Sequence, residues 1–96
     1  MPSDIERIRQ SIRLQHYRIS AHANEEMSED ALEAHDIEAI IFRGTILRRL
    51  THDPRGTRDE VTGTTTDSRP ATVVCRFLAS GVLLIITAYV HEEDEP

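Results

Sequence analysis

The chain has 96 residues, a formal net charge of −6 and 39% hydrophobic content. That is enough for one compact domain with a single core, and too apolar for a disordered chain. The longest apolar run, Val82 to Val90, is too short to cross a bilayer as a helix, and the opening MPSDIERIRQ lacks the apolar stretch of a secretion signal. Cys75 is the lone cysteine, which excludes an internal disulfide and fits a reducing cytoplasm. The expected address is the cytosol.

In chain order, Asp4 to Leu14 reads as an amphipathic helix, with Ile5, Ile8 and Ile12 at helical spacing and Ser3 as its cap. It belongs to an N-terminal segment, residues 1–16. Tyr17 to Ile19 is a short extended piece. Ser20 caps a second helix, in which Ala23 and Met27 lie one turn apart. A third helix spans Ala34 to Arg43, with Ile37, Ile40 and Ile41 as its buried stripe and Gly44 as a left-handed cap.

Strands follow. Thr45 to Thr51 is the first, and Asp53-Pro54-Arg55-Gly56 fits a type I turn. Arg58 to Thr62 is a short polar strand placed near an edge, and Gly63 to Pro70 reads as a loop. Ala71 to Leu78 and Val82 to Val90 form a hairpin across Ala79-Ser80-Gly81. The last strand is apolar on both faces, so it is central, or covered on its second face by a helix or a partner. His91 to Pro96 is expected to be a flexible acidic tail. Helices first and antiparallel strands after give an α+β class: N-terminal helices packed on a four-stranded, mostly antiparallel sheet.

Charge is unevenly spread. Residues 1–42 carry −5, residues 43–76 carry +3, and residues 77–96 carry −4. The basic middle third includes Arg48, Arg49, Arg55 and Arg69, which offer themselves to phosphates, as on a nucleic acid; the competing reading is a solvated sheet face. All eleven basic residues are Arg, a bias that source-genome composition explains more readily than phosphate recognition does.

Several separated pieces resemble one bacterial family, the domain of unknown function 4258, grouped with RelE-like and MqsR-like toxins of toxin–antitoxin pairs. They are Ser20-Ala21-His22-Ala23 with Met27, Asp36-Ile37 through Ile40 to Gly44, and Gly56, Arg58 and Gly63. Asp67 with Arg69 and Ile85-Ile86-Thr87-Ala88-Tyr89 complete the set. The resemblance covers roughly Tyr17 to Tyr89. It implies a RelE-like fold and metal-independent cleavage of messenger RNA. The implied partner is an antitoxin with a zinc-ribbon or helix-turn-helix domain. Three positions depart from the pattern. Asp59 stands in place of an aromatic residue, Ser68 in place of the loop glycine, and Glu26 where many relatives carry Arg.

The candidate catalytic set is His22, Arg58, Arg76 and Tyr89. Cleaving RNA without metal needs cations to offset charge on the phosphorane and His or Tyr to move protons. Against this, His22 serves equally well to lock the strand–helix junction through a backbone carbonyl, Arg76 as an ion pair and Tyr89 as half-buried core. Hairpin register decides whether these groups meet. A two-residue loop pairs residues summing to 161 and sets Arg76 and Tyr89 on one face. A three-residue loop pairs residues summing to 160 and sends them to opposite faces. No metal site and no cofactor are expected, because the histidines have no ligand-like spacing. The alternative to a nuclease is a non-catalytic module that forms a homodimer or binds a partner through the last strand.

Overall fold

A computed structural model describes residues 3–92. Three helices, α1 (Asp4–Arg13), α2 (Ala21–Glu29) and α3 (Ala34–Arg43), precede or interleave with five strands. The strands are β1 (Tyr17–Ile19), β2 (Thr45–Leu50), β3 (Arg58–Thr64), β4 (Pro70–Phe77) and β5 (Leu83–Val90), in the sheet order β1-β5-β4-β3-β2. The α+β class stands, but the sheet has five strands rather than four. Residues 17–19 do not merely extend: they pair parallel to β5 through Tyr17↔Leu83 and Ile19↔Ile85. The other pairings are antiparallel.

Each helix start follows from its cap. Ser3 Oγ accepts from Glu6 N at 3.3 Å, and Ser20 Oγ accepts from Ala23 N at 3.0 Å. Ser20 also donates to the Ile86 carbonyl at 3.0 Å, so one hydroxyl starts α2 and pins it to β5. β1 ends at Ile19, which leaves the rest of the β5 edge unpaired by any strand. There α2 covers it: Glu26 Oε1 accepts from Ala88 N at 3.3 Å and Asp30 Oδ2 from Val90 N at 2.9 Å. Carboxylates thus satisfy edge amides that would otherwise invite another strand.

The core lies between the helices and one face of the sheet. Ile8, Ile12, Ala23, Met27, Ile37, Ile40 and Ile41 from the helices meet Val61, Ala71, Val73, Cys75, Leu83, Ile85 and Ala88. Gly44 departs from expectation. Its φ is −94°, so α3 does not end in a left-handed residue. Glycine is needed for close approach instead: a Cβ there would strike the Thr62 carbonyl and sit 2.5 Å from the Ile40 carbonyl oxygen. Gly63 meets the same Ile40 carbonyl from β3 and lies against the Gly44 Cα.

β3 runs on through Thr64 and lies inside the sheet, between β4 and β2, so residues 58–62 are not an edge strand. The loop shrinks to the residues between Thr64 and Pro70. It clamps the helix layer. Arg69 Nη1 and Nη2 donate to the carbonyls of Asp30 (2.7 Å) and Ala31 (3.1 Å), and Arg43 Nη1 donates to the Thr65 carbonyl (2.7 Å). Asp36 at the start of α3 accepts from Thr66 N (3.0 Å), Thr66 Oγ1 (2.7 Å) and Glu33 N (3.0 Å). Ser68 takes φ of +68°, the left-handed conformation that a glycine would occupy without cost. The Asp53 turn forms as read, with Gly56 N donating to the Asp53 carbonyl at 3.0 Å. Of the expected tail, residues 93–96 lie outside the described residues. His91 is held, its N donating to the Pro70 carbonyl at 2.9 Å.

Candidate functional site

The two possible hairpin registers both occur. Leu78 N donates to the Val82 carbonyl at 2.8 Å, closing a three-residue loop, Ala79 to Gly81, with Gly81 at φ +92°. The pairs nearest the loop, Phe77↔Leu83, Arg76↔Leu84 and Cys75↔Ile85, sum to 160. Beyond them Val74↔Thr87, Val73↔Ala88, Thr72↔Tyr89 and Ala71↔Val90 sum to 161. Ile86 is the extra residue, a β-bulge that flips the parity of β5. The loop alone would send Arg76 and Tyr89 to opposite faces. The bulge returns them to one.

That shared face is the one turned away from the helices. Alternation along the strands sets three rows across it. The first row holds Arg18 on β1, Leu84 on β5 and Arg76 on β4. Continuing the Asp59↔Cys75 register by one residue adds Arg58, which itself faces Leu50 on β2. The second row holds Thr87, Val74, Glu60 and Arg48. The third holds Tyr89, Thr72, Thr62 and Thr45. Adjacent strands lie about 4.8 Å apart, so Arg58 and Arg76 are neighbours, while Tyr89 faces Thr72, which lies four residues, roughly 13 Å, from Arg76 along β4.

The expected residues fare differently. Arg76 has no hydrogen-bond or ion-pair partner among the described residues, and neither has Arg18. Arg58 makes only a 3.9 Å approach to Asp53 Oδ2, and its buried Nε has no partner. Tyr89 is 36% exposed. His22 stands apart, with a side chain 66% exposed and Nε2 3.3 Å from Glu26 Oε1. That same oxygen accepts from Thr87 Oγ1 at 2.6 Å, so Glu26 bridges His22 to the rim of the face. No contact joins His22 to Arg58, Arg76 or Tyr89 among the described residues, and no main-chain carbonyl holds its ring.

The four arginines assigned to phosphate binding are each engaged. Arg48 Nε lies 2.9 Å from Glu60 Oε2 on the outer face. Arg49 points to the helix side, where it pairs with Asp4 and approaches Asp59 Oδ1 at 3.7 Å. Arg55 stays in its turn, 3.4 Å from Asp53 Oδ1. Arg69 serves the loop clamp and Asp67. The four do not share one patch. Burial raises the Asp59 carboxyl above its ordinary value, with Arg49 opposing and Asp4 adding to the rise.

Two groups on or beside the face escaped the sequence reading. Arg18 sits in a three-residue strand with no pattern of its own. His91, placed in a tail, puts Nε2 2.6 Å from Thr72 Oγ1, with its ring 5.9 Å from that of Tyr89. Its only sequence signal is the spacing Tyr89-Val90-His91, which sets both rings two residues apart. A separate hollow of about 400 Å³ lies on the helix side, lined by Glu6, Arg7, Gln10, Ser11, Arg13 and Phe77, and includes none of the expected residues. Among the described residues no cluster of His, Cys, Asp or Glu is suited to a metal ion, and no helix is long and apolar enough to cross a membrane.

Neither the curated proteins nor the solved structures gave a match to this chain. A family model does match, over residues 19–90, from the last residue of β1 to the end of β5; the match includes Arg58, Arg76 and Tyr89 but neither Arg18 nor His91. The chain therefore belongs to the family described as Domain of unknown function (DUF4258).

Proposed function

We propose that this protein is a metal-independent endoribonuclease acting on messenger RNA, the toxin of a cytosolic toxin–antitoxin pair with a RelE-like fold. One observation carries the reading: the Ile86 bulge gathers Arg58, Arg76 and Tyr89 on a single outer sheet face, where Arg76 and Arg18 have no partner among the described residues. Unpaired guanidinium groups in a row fit the spaced phosphates of a single strand, because their charge is not already offset by carboxylates. Arg58 and Arg76 would offset the charge on the phosphorane, an effect worth about 10²–10³-fold per donor removed. Proton transfers fall to a phenol, Tyr89 on the face, and to an imidazole at its rim, where His22 and His91 both stand. An antitoxin would silence the protein by covering this face. Arg48, Arg49, Arg55 and Arg69 supply at most local charge, since each is already engaged.

The test is incubation of purified protein with messenger RNA, with and without chelator, alongside growth on overexpression. Cleavage that survives chelator, and falls about 10²-fold in Arg76→Gln, supports the reading. Intact RNA under all conditions together with normal growth refutes it. Binding is read separately: Arg18→Gln and Arg76→Gln should each flatten the salt dependence of single-strand affinity by about 0.7.

A second reading, a partner-binding module without catalysis, draws on a specific feature. β5 is enclosed by β1 and β4, but β2 is an edge strand, and its Leu47 is 64% exposed. A strand from a second copy or an antitoxin would pair there. A monomer in solution that retains no partner on pull-down argues against it.

A further inference from the structure

A short chain of hydrogen bonds crosses the third row of the outer face. Thr72, only 1% exposed, has Oγ1 2.6 Å from His91 Nε2 and 3.3 Å from Thr62 Oγ1. Thr62 Oγ1 in turn donates to the Ala71 carbonyl at 3.3 Å. A carbonyl oxygen only accepts, and a hydroxyl has one proton to give. All three contacts are hydrogen bonds at once in one arrangement only: Thr62 donates to Ala71 and Thr72 donates to Thr62. Having spent its own, Thr72 can only accept from the ring. In that arrangement the proton between Thr72 and His91 sits on Nε2, and the neutral ring keeps a free lone pair on Nδ1.

The rest of the geometry favours use of that lone pair. The ring is exposed, and its backbone is tied to Pro70. Tyr89 lies beside it, on the face that Arg76 shares. Among the described residues, the other charged groups nearby are Glu92, next in the chain, and Asp30 at the C-cap of α2, which holds Val90 N and whose carbonyl is held by Arg69. Among the described residues His22 has no comparable network: its Nε2 meets Glu26, whose Oε1 is already taken by Thr87.

We propose that His91, rather than His22, is the general base of the site, with Thr72 and Thr62 as positioning residues that hold its tautomer. This rests on the ribonuclease reading. Nδ1 takes the 2′-hydroxyl proton as the O2′–P bond forms. Tyr89 gives its phenolic proton to O5′ as the P–O5′ bond breaks, leaving a 2′,3′-cyclic phosphate and a 5′-hydroxyl. The imidazolium then returns a proton to the phenolate through water, which restores both groups.

The test has two arms on the full chain. In the first, nitrogen-15 NMR of histidine-labelled protein, above the ring's titration, should show His91 protonated on Nε2, with Thr72→Val shifting the Nε2 signal as its acceptor is lost. A wild-type ring protonated on Nδ1 overturns the proposal. In the second, His91→Gln should lower kcat by about 10²–10⁴-fold, more than His22→Gln does, and abolish the ascending limb of the pH–rate profile. The exposed His52→Gln serves as the control that retains that limb. An unchanged limb in a folded His91→Gln protein overturns the proposal. Should the wild type cleave no RNA, the ribonuclease reading fails by itself. Uridine 3′-monophosphate then decides: movement of the His91 ring signals supports a phosphate-facing base there, and unmoved signals overturn it.

Discussion

Asp36 joins α3 to the β3–β4 loop, and replacing it gives the most direct check on what holds the helix layer to the sheet. The side chain is 4% exposed and accepts three hydrogen bonds, two from Thr66 and one from Glu33 N. Burial alone would raise its pKa. The hydrogen bonds from Glu33 and Thr66, with a smaller contribution from His35, outweigh that and hold it below the ordinary 3.8. A hydrogen bond to a charged group is worth about 1.5–3 kcal/mol, and bonds that share one carboxylate do not add fully. Asp36→Ala should therefore cost about 3 kcal/mol at pH 7. At about 4–8 °C per kcal/mol for a domain of this size, Tm falls by about 12–24 °C. Asp36→Asn should lie between, because its amide oxygen can serve Thr66 while its NH₂ is left facing Glu33 N–H. The sign with pH follows from the depressed pKa. The unfolded chain binds the proton first, so the contribution of Asp36 is full above about pH 5 and fades as pH falls below 3.8 toward the folded value. Urea unfolding followed by circular dichroism from pH 7 to pH 3 measures this. A loss below about 1 kcal/mol at pH 7, or a gap to the variant that persists on acidification, refutes the reasoning.

Other substitutions probe the backbone and the core. Ser68→Gly removes a left-handed strain of about 1–2 kcal/mol against about 0.5–1 kcal/mol of added chain entropy, so the urea midpoint should rise slightly. Gly63→Ala drives a Cβ into the Ile40 carbonyl and should cost at least about 2 kcal/mol by the same assay, with a loss under 1 kcal/mol counting against the close-approach account. Cys75 is buried, and burial, with Asp59 adding to it, pushes its thiol up to about 12. Native protein at pH 8 should resist iodoacetamide and label only on unfolding, as read by mass spectrometry; prompt native labelling would contradict its burial.

Much of the fold was legible because its signals are local. Ile5, Ile8 and Ile12 repeat at helical spacing, and Ser3 and Ser20 stand where a helix needs an acceptor. The fifth strand was not legible, since Tyr17–Ile19 gains its identity only from a parallel partner more than sixty residues away. β3 looked like an edge because Arg58, Glu60 and Thr62 are polar. They are polar because they face outward, and side-chain polarity reports the face of a strand, not its place in the sheet. Gly63 read as the start of a loop, yet it is glycine so that β3 can pass close to the end of α3. Charge shows the same limit. The excess of arginine between residues 43 and 76 was visible, while its neutralisation by Asp4, Asp53 and Glu60 depends on tertiary placement.

The register of the last hairpin shows why the site itself was the hardest part to read. On β4 the core residues Ala71, Val73, Cys75 and Phe77 keep odd parity throughout. On β5 the core takes Leu83 and Ile85 and then Ala88 and Val90, which no unbroken strand can turn to one side. That parity change is the bulge written in the sequence. It is masked because Leu84 and Ile86 are apolar too, so the run offers a hydrophobic residue at either parity. The Ala79–Gly81 loop sets one register and the Ala88–Val90 end demands the other. Ile86 absorbs the difference, and Ser20 holds its carbonyl. Core packing, not any feature of Arg76 or Tyr89, thereby decides that the two share a face. The same half-turn of parity carries Tyr89 opposite Thr72 and brings His91 onto the hydroxyl of that threonine, so the arrangement of chemical groups is inherited from how the far side of the strand packs.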